Sequence, residues 1–290
     1  MRLTRAAEQS RPPGGVPLLA IRGLHIVFET DRGAVEAVRG VDIDVPRGAV
    51  VGLVGESGSG KSATSLAVLR LMHARARITS GSITFDGTDL LAASARTMQA
   101  MRGRRLSLVP QDPMSALNPG LRIGTQLGIA IRAHQPLGGT DRKKASIELL
   151  ERVHLPDPER MLRRYPHEIS GGQRQRIVIG MALVGGADLL IADEATTALD
   201  ATTQLQILRL LKELQESSGL SILLITHDFG VVDAICDEVF VMRRGIVVER
   251  GYVEEVFRDP RDDYTRELMS FIPDPAQRGT ALGSTIRKGR

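Results

Sequence analysis

The run Gly55-Glu56-Ser57-Gly58-Ser59-Gly60-Lys61-Ser62 sets glycines, a lysine and a hydroxyl at the spacing of a phosphate-binding loop. The residue types suit that chemistry. Glycines let the backbone fold tightly enough to aim its N–H groups at phosphate oxygens, and a helix starting directly afterwards adds the positive end of its dipole. Lys61 supplies a cation for the β- and γ-phosphates, and the Ser62 hydroxyl a ligand for Mg²⁺. A glycine-rich turn can also be only a turn. Context separates the two readings, because the loop lies between a continuous apolar run at 49–54 and a helical pattern at about 62–72, as the motif requires.

A second chemical pair stands at Asp193-Glu194, at the end of the apolar run Leu189-Leu190-Ile191-Ala192. The carboxyl end of a buried strand is where α/β sheets bind ligands. Asp193 is placed to hold Mg²⁺ through water, and Glu194 to polarise an attacking water as general base. Two acids after an apolar run are often just a solvated strand end; coupled to a phosphate loop they read as catalytic. A phosphate loop and an acidic pair still leave kinases, GTPases and many ATPases open.

The segment Ile169-Ser170-Gly171-Gly172-Gln173-Arg174-Gln175-Arg176 narrows the choice. Ser170, Gly171 and Gly172 suit phosphate contact at a helix N-terminus. The octet resembles the signature of the ATP-binding-cassette (ABC) family, with Ile169 where Leu is usual. That resemblance implies that the Ser170–Gln173 region contacts nucleotide held by a second subunit. It also implies that Gln111 senses Mg²⁺ and the attacking water, that Ala198-Leu199-Asp200 touches the opposite monomer, and that His227 is the switch histidine at the γ-phosphate. Phe28, just before the loop leading to Val35, is the candidate for stacking on adenine, with Arg32 as the alternative. An aromatic on an alternating strand is as readily a core residue.

The resemblance spans about 18–273. The segments Pro110-Gln111-Asp112-Pro113-Met114-Ser115-Ala116-Leu117-Asn118-Pro119 and Asp263-Tyr264-Thr265-Arg266-Glu267-Leu268 are similar to the ATPase subunits of oligopeptide, dipeptide and nickel importers. Ala195 and Asp263 depart from that pattern, each standing where proline is usual. The resemblance implies an ATP- and Mg²⁺-dependent ATPase at the cytoplasmic face of the membrane. Its partners would be a second, paralogous ATPase subunit in a heterodimer, two permeases and an extracytoplasmic solute-binding protein. An exporter or lipoprotein-release motor would share every catalytic residue. An ABC ATPase acting on DNA or ribosomes is disfavoured by the single cassette and the ordinary globular stretch between Lys61 and Asp193.

The elements that must position these residues follow from periodicity. Alternating apolar segments at 18–28 and 35–45 read as strands, as do 82–85 before the Asp86-Gly87 turn and 221–225. A helix carrying Leu205, Leu208, Leu211 and Leu214 precedes the last of these, and 239–242 with 246–248 form a hairpin. From about 112 to 169 apolar residues recur at helical spacing. The expected fold is therefore α/β: a phosphate-loop cassette with a RecA-like core, an N-terminal antiparallel β lobe and an inserted helical lobe.

The chain has 290 residues, 42% of them hydrophobic, enough to bury a core. Its formal charge of +4 lies largely in the tails at 1–17 and 274–290, which are expected to be disordered and basic, so no nucleic-acid face is expected. Cys236 is the one cysteine, which excludes an internal disulfide or multi-cysteine cluster. No stretch has the roughly 18 to 20 apolar residues that would span a bilayer.

Overall fold

The structure, a computed structural model, describes residues 15–31, 33–197 and 199–270. The tail expectations at 1–14 and 274–290, Arg32 and Ala198 lie outside the described residues. The chain opens with β1 (Leu19–Thr30), β2 (Gly33–Val45), β3 (Val50–Val54), α1 (Lys61–Leu69), β4 (Ala76–Phe85), β5 (Thr88–Asp89), α2 (Ala95–Met101) and β6 (Leu106–Val109). A helical stretch follows with α3 (Pro113–Ala116), α4 (Ile123–His134), α5 (Gly139–Arg152), α6 (Pro158–Met161), a 3₁₀ turn (Pro166–Glu168) and α7 (Gly171–Leu183). The remainder is β7 (Leu189–Asp193), α8 (Ala201–Ser218), β8 (Ser221–Thr226), α9 (Phe229–Ile235), β9 (Glu238–Arg243), β10 (Ile246–Tyr252), α10 (Val253–Arg258) and α11 (Asp263–Ser270).

Two sheets form the frame. An antiparallel sheet runs β2-β1-β4-β5, and a mixed sheet runs β10-β9-β3-β8-β7-β6. In the mixed sheet β9, β3, β8, β7 and β6 are mutually parallel, with β10 antiparallel at the edge. Both faces of this sheet are covered, which is why its central strands read as unbroken apolar runs rather than alternating ones. Val51 and Leu53 face the core shared with β1 and β2, alongside Ile21, Ile43 and Leu223. Val50 and Val54 turn the other way, into the core with Ile177 of α7, Leu211 of α8 and Val231 of α9.

The expectation of an α/β cassette with an antiparallel β lobe holds, with adjusted boundaries. Helix α1 stops at Leu69 because Arg70 adopts a left-handed φ of 51°, and the Arg70 and Leu71 amides turn back to the carbonyls of Ala67 and Leu66. Strand β4 starts at Ala76, ahead of the expected residue 82; its first half is mostly exposed, and its alternation is confined to Ala76 and Ile78 before the polar Ser80-Gly81-Ser82 breaks it. Helices α2, α9, α10 and α11 had no sequence reading. Two of them begin at capping side chains, Ser94 accepting from the Thr97 amide and Asp228 from the Gly230 amide.

Helix α8 buries Ile207, Leu208, Leu210, Leu211 and Leu214 against the sheet, whereas Leu205 is only partly buried. Leu211→Ala is therefore expected to destabilise the protein by about 2–5 kcal/mol and Leu205→Ala by less than half as much. Urea denaturation of the two variants measures the difference.

Candidate active site

The loop at 55–60 leaves β3 and turns into α1 through positive φ at Gly55 (148°), Gly58 (78°) and Gly60 (105°). Two of these glycines are also required by close approach. A Cβ on Gly55 would lie 2.0 Å from the Met242 carbonyl oxygen of β9, and one on Gly60 would lie 2.4 Å from the Ala37 carbonyl oxygen of β2. The loop is thus gripped between the two sheets. The turn joining β9 and β10 holds it as well, since the Gly245 amide donates to the Ser59 carbonyl at 2.9 Å. Sequence reasoning gave that turn no part in the site.

No side chain caps the N-terminus of α1, so its first amides are left for an anion to satisfy. Lys61 lies at this point and is only 4% exposed. Its Nζ donates to the carbonyls of Gly55 and Glu56, both at 2.8 Å, and stands 3.5 Å from Ser59 Oγ. Burial lowers the Lys61 pKa, and the carboxylates of Glu194, Asp193 and Glu56 oppose that shift. The side chains of Glu56 and Ser57 are exposed at the rim of the loop.

Ser62 Oγ donates to Asp193 Oδ1 at 3.2 Å. A hydroxyl and a carboxylate side by side are hard oxygen donors of the kind Mg²⁺ takes, so the pair fits an ion bound by Ser62 with Asp193 reaching it through water. Burial raises the Asp193 carboxyl above its ordinary value; the Ser62 hydrogen bond opposes this, Glu194 adds to it and Lys61 opposes it. Such a carboxylate gains from a bound cation.

Glu194 follows at the strand end with φ 48°, and its amide donates to the Ile225 carbonyl of β8 at 2.9 Å. The left-handed backbone costs a non-glycine residue about 1 kcal/mol or more and turns the side chain out of the strand path. Three side chains converge on its carboxylate. Gln111, just beyond β6, donates from Nε2 to Oε2 at 2.7 Å; His227 Nδ1, just beyond β8, lies 3.3 Å from Oε1; Thr197 Oγ1 donates to Oε2 at 3.4 Å. Because β6, β7 and β8 are parallel neighbours, their carboxyl ends bring Gln111, Asp193, Glu194 and His227 to one edge beside the loop. In this arrangement the Gln111 amide engages Glu194 rather than the Ser62–Asp193 pair. Thr197 had no assigned role in the sequence.

Ser170 stands elsewhere in the chain's own framework. It caps α7 through a reciprocal pair, Ser170 Oγ accepting from the Gln173 amide at 3.3 Å and Gln173 Oε1 from the Ser170 amide at 3.0 Å. Asp200 caps α8, accepting from the Thr203 amide at 3.0 Å and from Thr203 Oγ1 at 2.6 Å, and these bonds lower its pKa. Gly172 packs on the same threonine: a Cβ there would meet Thr203 Cγ2 at 2.4 Å, while Gly171 faces Leu199. Among the described residues, no hydrogen bond or ion pair joins Ser170, Gly171, Gly172, Gln173 or Asp200 to the loop at 55–62. Phe28 pairs with Val35 and Ala76 across the antiparallel sheet and packs, half-buried, on the core shared by the two sheets.

A phosphate loop on a parallel sheet, an acidic pair on the neighbouring strand and a separate helical stretch with its own capped Ser-Gly-Gly turn define a nucleotide-binding cassette. The family described as ABC transporter matches residues 38–197. The chain is 46% identical over 257 residues to the oligopeptide transport ATP-binding protein OppD of Bacillus subtilis, covering 88% of this chain and 72% of that protein. It is 45% identical over 257 residues to the dipeptide transport ATP-binding protein DppD of the same organism, covering 88% and 77%. Among solved structures, it is similar to the dimeric ATP-binding cassette MJ0796 in a post-hydrolysis state bound to ADP and phosphate, with a TM-score of 0.72, 25% identity and coverage of 81% of this chain and 98% of that one. The chain belongs to the ABC transporter family as an ATP-binding, ATP-hydrolysing subunit.

The Gly172–Thr203 approach carries a specific expectation. Gly172→Ala destabilises the protein by about 1–3 kcal/mol through overpacking, and adding Thr203→Ser, which removes Cγ2 but keeps the hydroxyl for Asp200, restores most of the loss. Paired urea denaturation curves check the compensation.

Proposed function

We propose that this chain is the ATPase subunit of an importer of peptides or a related small solute, held at the cytoplasmic face of the membrane by permease partners. Convergence of Gln111, Thr197 and His227 on the Glu194 carboxylate, beside the Ser62–Asp193 pair and the buried Lys61, carries the catalytic half of this reading. The peptide substrate is supported by the names of the two Bacillus relatives. No helix among the described residues is long and apolar enough to cross a membrane, so contact with the bilayer is assigned to the partners.

In the proposed cycle, loop amides and Lys61 hold the β- and γ-phosphates of ATP, with Phe28 against the adenine. Ser62 would ligate Mg²⁺, Asp193 would hold it through water and Gln111 would stand beside it; the ion would neutralise phosphate charge when bound. Glu194 accepts a proton from the attacking water, and His227 contacts the γ-phosphate. ADP and phosphate are released. The Ser170–Gln173 turn and Asp200 complete the site of a second cassette, and that cassette's signature completes this one. Their separation from this chain's own loop is consistent with such a division. Binding of two ATP closes the pair and hydrolysis reopens it.

The cassette is assigned to about 18–273, with the helical lobe at about 112–169 as the permease-facing part. A cavity of about 460 Å³ between α4 and α5 supports this, being lined by Arg122, Arg132, Arg142, Lys143 and Arg163 next to the exposed Ile129. The working assembly is assigned as two different cassettes on two permeases, served by an extracytoplasmic solute-binding protein.

Glu194→Gln is expected to keep ATP binding and to lower turnover at least about a hundredfold. Near-wild-type hydrolysis by the purified variant would remove Glu194 from the general-base role. For the assembly, intact mass of the complex isolated from its native host is expected to show one copy of this chain and one of a second cassette. Two copies of this chain would replace the heterodimer with a homodimer and leave the importer reading standing.

A further inference from the structure

Tyr264 of α11 is about 1% exposed, yet its hydroxyl reaches the phosphate loop, accepting a hydrogen bond from the Glu56 amide at 3.1 Å. The Glu56 N–H and the Gly55 C=O belong to one trans peptide unit and point to opposite sides of it. The carbonyl side accepts from Lys61 Nζ at 2.8 Å. One peptide plane is therefore held from both sides, by the tyrosine and by the lysine that the loop exists to position. Gly55 has no Cβ to restrict its ψ, the torsion that turns this plane, so a second tether has a task to perform. The ring is itself fixed: the Arg243 guanidinium lies 4.5 Å over its centroid, at the end of β9, and the following turn holds Ser59 through Gly245.

We propose that Tyr264 is a positioning residue for nucleotide binding, which fixes the Gly55–Glu56 peptide so that the Lys61 ammonium is presented to phosphate. The role makes α11 part of the site's support, and it rests on the reading of 55–62 as the phosphate loop.

Tyr264→Phe removes the acceptor and keeps the ring. Isothermal titration of ATP with Mg²⁺ into the full chain is expected to show binding weakened about three- to tenfold, the range set by one net hydrogen bond. The melting temperature without nucleotide is expected to fall by no more than about 4 °C, the shift that loss of one hydrogen bond produces. A Tyr264→Leu variant should lose both affinity and thermal stability. Tyr264→Phe affinity within about threefold of wild type overturns the proposal. So does a loss of affinity that only accompanies a general loss of stability, or failure of this near-isosteric variant to fold, since either marks a packing role. If wild-type protein itself binds no ATP, the phosphate-loop reading fails; if wild type binds and Tyr264→Phe matches it, only the tyrosine's role does.

Discussion

The ammonium of Lys61 is almost out of contact with solvent, and a buried cation is tolerated only where acceptors and opposite charge surround it. The loop supplies the acceptors by turning the Gly55 and Glu56 carbonyls inward, which the backbone can do only with glycine at its tightest points. The mixed sheet supplies the opposite charge, because β7 runs beside β8 and ends in Asp193 and Glu194. Displace either strand and the lysine loses its compensation. The contacts of Ala37, Met242 and Gly245 with the loop belong to the same constraint, since they fix its path from outside.

From that point the division of labour is geometric. Parallel strands deliver Gln111, Asp193, Glu194 and His227 to one edge although more than a hundred residues separate the first from the last. Each comes from a strand end, where the backbone is fixed by its neighbours and the side chain is free to face a ligand. The Ser170 turn is built differently, on a helix N-terminus whose cap is satisfied within its own first turn and whose glycine packs on α8. The turn is thereby fixed by two packed helices rather than by the sheet. The carboxylate edge of the sheet and this capped helix start are thus built on separate parts of the chain's own framework.

Much of this was legible in sequence because the chemistry is written in short contiguous runs. The octet at 55–62 and the Asp193-Glu194 pair each sit after a strand whose unbroken hydrophobicity reflects burial on both faces. The supports were not legible. Tyr264 reaches Glu56 across more than two hundred residues, and Gly245 holds Ser59 through its backbone, so neither leaves a local pattern. Thr197 lies three residues after Glu194, and nothing in its type or spacing marks the hydroxyl that turns back to the carboxylate. The early part of β4 was missed because its alternation stops after Ala76 and Ile78, and the polar Ser80-Gly81-Ser82 that follows reads as a turn. Helices α9 and α10 are only one or two turns long, too short for periodicity to declare them. Phe28 illustrates the opposite difficulty, an aromatic whose strand position suits both core packing and ligand stacking.

If the buried Lys61 charge anchors nucleotide phosphate, removing it must weaken nucleotide binding without unfolding the protein. Titrating ATP into wild-type protein and into a Lys61→Ala variant, with folding of both confirmed by circular dichroism and urea denaturation, tests this most directly. Affinity lower by at least about tenfold in a folded Lys61→Ala protein is the predicted result, as expected for loss of a charge-assisted contact to phosphate. Equal affinity in the two folded proteins would contradict it.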